Sequence, residues 1–256
     1  MTDRVPARRR FLARTFAAAG ALVLAGCNQL SRTDWFPKIL GSAERASETA
    51  MKLLPRKAMA QEFAAADLSP TFRSNGTADP ATDEYRALAA NGFVDWRLAV
   101  GGLVDKPLSL SLADLKALPS RTQITRHDCV EGWSAIAKWK GARLAALLEA
   151  AGPKPNARYV MFYCADSLEQ DRSVDYYESI DLDDAFHPQT ILAYEMNDEA
   201  LPVKNGAPLR LRVVRQLGYK HAKYVMRIEL VESFDRIARG KGGYWEDQGY
   251  QWFAGI

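Results

Sequence analysis

The sequence has few of the residues that most often bind metals or catalyse reactions unaided. Among 256 residues there are three histidines (His127, His187, His221) and three cysteines (Cys27, Cys129, Cys164). They are widely spaced, so a zinc site built from several Cys and His ligands is not supported. There is no C-x-x-C-H haem attachment, no G-x-S-x-G nucleophile elbow and no glycine-rich dinucleotide or phosphate loop. No apolar run is long enough for a membrane-spanning helix. Neither sign of charge is in excess: 34 Lys and Arg stand against 31 Asp and Glu, a net +3. No basic run outside the N-terminus looks like a nucleic-acid-binding arm, so nucleic acid is not an expected partner. Internal repeats are absent too. What remains is a folded protein of ordinary apolar and charged content, long enough for one large domain or two small ones.

The N-terminal "ARRRFLARTFAAAGALVLAGC" has the layout of an export signal: a basic start, a short apolar run from Phe16 to Leu24, then small residues. "RRRFL" (Arg8 to Leu12) resembles the twin-arginine signal of proteins exported already folded. "LAGC" (Leu24 to Cys27) resembles a lipoprotein cleavage box, in which Cys27 becomes the lipidated first residue and holds the chain on a membrane surface. The expected location is therefore periplasmic or cell-envelope. With Cys27 used as an anchor, Cys129 and Cys164 form an even pair in an oxidising compartment, and a disulfide is the default reading.

Composition divides the chain into an export signal (1–27), a polar, Ala-rich tether with a weak helical pattern in "SAERASETAMKLL" (28–62), and a folded body (63–256). Within the body, period-two patterns predict strands in "WRLAVGG", "ARYVMFYCAD", "TILAYEM", "LRLRVV" and "YVMRIELVE". "SLADLKAL" predicts a helix capped by Ser111 with Asp114 three residues on. "ARLAALLEAAGP" predicts one that stops at Gly152, and "DLDDAF" a short one from Asp181. Strands and helices intermix without strict alternation, so the expected class is mixed α+β rather than a doubly wound sheet.

Chemistry concentrates in "TRHDCVEGWSAIAKWKG", Thr125 to Gly141. Cys129 there could be a nucleophile activated by Arg126 or His127, since positive neighbours lower a thiol pKa. A surface or structurally hydrogen-bonded histidine is the competing reading of His127. A single thiolate can also be the soft ligand to a heavy metal held mainly by a cofactor. A phosphorylated cofactor would in turn need Arg, Lys and polar side chains from several segments. "KNGAPLRLRVVRQLGYKHAKY" offers Asn205, Arg210, Arg212, Arg215, Lys220, His221 and Lys223, although the alternation in "LRLRVV" alone would place Arg210 and Arg212 on a solvated strand face.

From about Trp96 to Ile256 the chain resembles the molybdopterin-binding domain of the sulfite oxidase superfamily. The resemblance lies in "RHDCVEGWSAIAKWKG", "LPVKNGAPLRLRVVRQLGYKHAKYVMRIEL" and "GGYWEDQGYQWFAGI". The "C-V-E-x-W-S" form is nearer to the bacterial periplasmic methionine sulfoxide reductase catalytic subunits than to sulfite oxidase proper. The resemblance implies a sulfite-oxidase-type catalytic domain over 63–256, without the C-terminal immunoglobulin-like dimerisation domain. It implies molybdopterin as cofactor, with mononuclear molybdenum and one pterin, and Cys129 as the metal ligand. Asn205, Arg210 and the run His221, Ala222, Lys223 would hold the pterin and its phosphate. Cys164 would lie near the pterin, and Asn75 corresponds to an upstream pterin contact. Arg126 would supply charge at the oxo group or substrate, and Tyr176 and Tyr177 are read as funnel residues or, competing, as core or surface aromatics. A Cys129–Cys164 bridge would consume the ligand, so the resemblance argues against it. The expected activity is oxygen-atom transfer on a small substrate, with electrons from a separate partner such as a membrane cytochrome. Two alternatives stay open: a thiol-dependent enzyme using Cys129 with His127, and a non-catalytic lipoprotein binding module.

Overall fold

A computed structural model describes residues 58–256 and, before them, 32–36, 38, 39, 41, 42, 46, 49 and 50. The chain forms two compact units, Met1–Leu54 and Pro55–Ile256. In the first, Phe36, Lys38, Ile39, Gly41, Ser42, Ala46, Thr49 and Ala50 are helical. The export signal, the twin-arginine run and Cys27 lie outside the described residues.

The second unit has the expected α+β character, with two five-stranded sheets and short helices between their strands. The first sheet has the order β2-β1-β10-β5-β6, from Leu108–Leu110, Leu98–Gly102, Val225–Val231, Tyr159–Ser167 and Asp175–Asp181. Its β1–β10 pair is parallel, with Ala99 opposite Arg227 and Val100 opposite Ile228; its other pairs are antiparallel. In the second sheet β3 (Ser120–Asp128), β4 (Ser134–Arg143), β7 (Ile191–Met196) and β8 (Glu199–Ala200) follow in order, and β9 (Arg210–Arg212) also pairs with β7.

Both sheets contribute to one core. Trp96, Leu98 and Val100, the face predicted from "WRLAVGG", pack with Val160, Phe162, Ile228 and Leu230 of their own sheet and with Leu192 and Leu211 of the other. Burying each such side chain contributes about 1.5–3 kcal/mol. The far face of the second sheet carries a smaller cluster around Trp139, Ile191 and Ala193, closed by Phe72.

The helices form where their local signals lie. Helix α1 (Asp83–Ala90) is capped by Thr82, and α2 (Leu112–Ala117) has the predicted capping box of Ser111 and Asp114. Helix α3 (Leu144–Ala151) turns Leu144, Leu147 and Leu148 into the core and ends at Gly152, whose φ of 70° suits a residue without Cβ. Two short helices follow, α4 (Leu182–Ala185), capped by Asp181, and α5 (Tyr244–Asp247).

Candidate functional site

Strands β3 and β4 pair over their whole length, with Asp128 opposite Ser134, and Cys129 sits in the loop that joins them. The loop is closed by its own backbone: Cys129 N–H donates to Trp133 O at 2.9 Å and Gly132 N–H to Cys129 O at 3.0 Å. The Asp128 carboxylate braces its base, accepting from Ser134 Oγ at 2.5 Å and from Arg126 Nε at 3.0 Å. Cys129 is 9% exposed. Burial pushes its thiol pKa up, and the pull of Arg210 and Arg73 does not offset this. In the cofactor-free chain the thiol therefore keeps its proton and is a poor nucleophile; a bound metal cation would reverse that.

Alternation along β3 separates the two neighbours of the loop. Arg126 faces out, pairs with Asp128, and lines a different cavity of about 540 Å³ with Thr125, Asp128 and Ile256. Arg126, one position from His127 on the strand, is not among the residues that line the Cys129 cavity.

His127 faces in and is 1% exposed. Arg212 Nη1 lies 2.8 Å from His127 Nδ1 and 2.7 Å from His221 Nδ1, and the two rings meet edge to face with centroids 5.0 Å apart. A guanidinium only donates, so both Nδ1 atoms accept and both rings carry their proton on Nε2. His221 Nε2–H then donates to Gln216 O at 3.0 Å. His127 Nε2 has no partner and abuts Gly218, where a Cβ would come within 2.7 Å of it. Burial first, then His221 and the nearby arginines, holds the His127 pKa well below its ordinary value. His127 thus has no lone pair with which to activate Cys129, and the thiol-enzyme alternative loses its base.

Arg210 and Arg212 are both 0% exposed, which overturns the solvated-face expectation for β9. They lie against Trp139, with guanidinium carbons 5.4 and 4.5 Å from the ring centre. Arg210 donates to Asn205 O (3.1 Å) and Asn75 Oδ1 (3.2 Å), and Arg212 to Thr125 Oγ1 and Arg126 O. Among the described residues neither forms an ion pair with a carboxylate. Arg210 Nε, Arg212 Nε and Asn205 Nδ2 are buried without an acceptor. Burying such donors unpaired is costly, and burial draws the Arg210 pKa down to about 10. An excess of buried donors and positive charge suits an acceptor-rich anion such as a phosphate.

Cys129, Asn75, His221 and Lys223 line one open cavity of about 640 Å³, in the range of small-molecule sites. Asn205 and Arg210 are buried without lining it; Arg210 reaches it through Asn75. Lys223 Nζ donates to Asn75 O at 2.6 Å, to Thr77 O and to Ser74 Oγ, fastening the 74–77 loop to the cavity. Cys164 and Ala222 do not line the cavity. The buried Cys164 lies opposite Val225 in the first sheet, and the Ala222 carbonyl accepts from Leu211 N–H. Both Cys129 and Cys164 are free thiols.

Tyr176 lines the cavity, whereas Tyr177 donates to Asp247 instead. Sequence reasoning misses Thr77, Glu131, Asp166, Tyr219, Trp245 and Tyr250, which also line it. Trp245 and Tyr250 stand in the quoted tail, and Asp166 closes the predicted strand "ARYVMFYCAD"; what makes them site residues is long-range packing. Among the described residues no group of three or more His, Cys, Asp or Glu could hold a metal ion. A metal at Cys129 would need most of its ligands from an organic group, which fits a molybdenum–pterin cofactor.

The family profile described as oxidoreductase molybdopterin binding domain matches residues 87–236. A putative protein-methionine-sulfoxide reductase subunit YedZ1 of Azospira oryzae is 37% identical over 98% of this chain and 88% of its own. The protein-methionine-sulfoxide reductase catalytic subunit MsrP of Xanthomonas campestris is 32% identical over 90% of this chain and 72% of its own. For the MsrP of Campylobacter jejuni the identity is 35%, over 59% and 55%. The sulfane dehydrogenase SoxCD of Paracoccus pantotrophus aligns with 55% of this chain and 39% of its own, at 26% identity and a TM-score of 0.49.

Proposed function

Because the chain belongs to the family of molybdopterin-binding oxidoreductases, we propose that it reduces S-oxides at molybdenum held by Cys129. The family makes it an enzyme with a molybdopterin cofactor, which sets aside the non-catalytic binding module. When bound, the cofactor supplies two-electron redox chemistry at molybdenum. The chain's own residues supply the rest. Cys129 would lose its proton and serve as the thiolate ligand. Arg210 and Asn205, buried behind the cavity, would offer their unused donors to the cofactor's phosphate. Lys223 holds the 74–77 loop at the cavity. The His127–Arg212–His221 stack forms a rigid floor behind the ligand loop, because each Nδ1 is committed.

The observation that carries the substrate reading is the character of the cavity wall. Tyr176, Tyr219, Trp245 and Tyr250 line it, with Trp245 and Tyr250 5.1 Å apart and Tyr219 edge-on to Tyr250 at 5.2 Å. Glu131 and Asp166 add carboxyl groups. Lys223 is the one cation among the lining residues, and its donors are taken by the loop. Sulfite, an anion, would meet the carboxyl groups of Glu131 and Asp166 and no free cation there. A neutral sulfoxide suits the aromatic wall, since sulfur and methyl groups pack well against aromatic rings. The names of the relatives point the same way, and "catalytic subunit" implies a second subunit for those proteins. For this chain we extend the reading to a separate electron-transfer partner, such as a membrane cytochrome. Export in folded form and attachment through a lipidated Cys27 complete it.

The test is turnover by purified, molybdenum-loaded protein with an artificial electron carrier, against sulfite and a panel of S- and N-oxides. S-oxides should turn over fastest. Sulfite oxidation with inert S-oxides would overturn the substrate reading. Cys129→Ala should fold, by circular dichroism, yet lose molybdenum-dependent activity; full activity with bound metal would remove Cys129 as ligand.

A further inference from the structure

Reducing an S-oxide consumes two protons as well as two electrons, and the cavity contains a group placed to give one. We propose that Asp166 is the acid that protonates the departing oxygen of the substrate, an inference that rests on the S-oxide reading above.

Asp166 closes on the cavity from the end of β5 and is 3% exposed. Its Oδ1 makes no well-formed hydrogen bond, and its one polar side-chain neighbour there is the Thr77 hydroxyl, which lines the same cavity and makes no other bond. The other buried titratable groups of the wall are committed. Tyr176 OH donates to Tyr219 O at 2.6 Å, Tyr219 OH to Gln251 O at 2.6 Å, and His221 Nε2–H to Gln216 O. Glu131, on the exposed side, accepts from Trp133 Nε1 at 2.9 Å. Asp166 thus keeps an unused oxygen where a polar ligand atom would satisfy it.

The surroundings suit an acid that works near neutrality. Lys223 and Tyr224 face Asp166 from the segment before β10, Asp175 and Tyr176 from β6, Cys164 from its own strand, and Tyr85 from α1. Burial outweighs the opposing pull of Lys223, of the Thr77 hydroxyl and of the local backbone, and lifts the carboxyl to about 6, where an ordinary aspartate would already be ionised.

The step balances as R₂SO + 2e⁻ + 2H⁺ → R₂S + H₂O. The sulfur–oxygen bond breaks, sulfur is reduced, and the two electrons come from the reduced molybdenum cofactor. One proton leaves the Asp166 carboxyl for the oxygen and the second comes from solvent. The Asp166 carboxylate then recovers its proton from water at the open mouth, beside the exposed Val130 and Tyr250.

The experiment is Asp166→Asn in the full, cofactor-loaded protein, with molybdenum and pterin content measured beside kcat, KM and their pH dependence. We expect unchanged cofactor content and KM, kcat lower by about 10²–10⁴-fold, loss of the wild-type fall in kcat at alkaline pH, and partial recovery in Asp166→Glu. In cofactor-free wild type, infrared spectra should show a carboxylic acid band that titrates near 6 and is missing from the Asn variant. A loaded Asn variant with wild-type kcat and pH profile overturns the proposal. So does an Asn variant that cannot retain molybdenum, which would make Asp166 a cofactor anchor, or a wild type without that band at pH 5. Wild type inert towards every S-oxide instead overturns the substrate reading, and it is recognised without any variant.

Discussion

An imidazole that must accept a hydrogen bond from arginine cannot also take up a proton without breaking it. His127 and His221 both stand in that position against Arg212, and burial holds both pKa values well below 6.5. The sign follows from linkage. The unfolded chain protonates these histidines as pH falls through about 6.5 and the folded chain does not, so stability is full above that pH and declines below it. Each histidine should cost up to about 1.4 kcal/mol per pH unit in that acid range. Asp166, raised to about 6, opposes this between roughly pH 4 and 6. Urea unfolding of cofactor-free protein at pH 7, 6 and 5 should show the decline, and His127→Gln should flatten it. A pH-independent midpoint would mean the imidazoles are not held neutral. Sequence reasoning reaches the ligand cysteine and the cations at this scale but not their setting. Arg210 and Arg212 alternate with leucines as a solvated strand would, and only the layer of Trp139, Thr125 and the two histidines makes that face a buried one.

Secondary elements were legible in proportion to how apolar their buried face is. Helices α2 and α3 carry their caps and stripes in the sequence, and β1, β5, β7 and β10 show apolar runs or alternation. Strand β3 does not, because the residues it turns inward are Gln123, Thr125 and His127, so its period of two is written in polar side chains. The cavity's C-terminal wall has a similar polar core. Lys220 lies fully buried between Glu178 of β6 and Glu246 of α5, donating to both. One ammonium cannot balance two carboxylates, and the pKa of Glu178 is pushed well up, by burial before any other cause, so this side carries the shared proton. The trio ties α5, and with it the neighbouring Trp245, to the first sheet. Lys220→Met should cost about 3–5 kcal/mol in denaturant unfolding by leaving the carboxylates uncompensated. Glu246→Gln, which keeps one carboxylate per ammonium, should cost well under half of that. Equal losses for the two variants would show that packing, rather than charge, fastens this wall.

At the scale of the whole molecule, the α+β class was legible from the intermixed strand and helix patterns, and the family from three motifs. The pairing of the sheets was not, since nothing local joins strands 128 residues apart in Ala99 and Arg227. Export, read from the N-terminal segment, makes a separate prediction. Replacing Arg8 and Arg9 by Lys should leave the precursor in the cytoplasm, and mass spectrometry of envelope-derived protein should find a lipid-modified Cys27. An unmodified or uncleaved N-terminus in the envelope fraction would contradict the anchor. The parallel partnership of β1 with β10 also sets a timetable. The first sheet lacks its middle until β10 has been synthesised, and the cavity wall runs from Asn75 to Tyr250. A growing chain therefore offers no complete pocket for most of its synthesis, and a cofactor would find its whole site only once translation is all but complete.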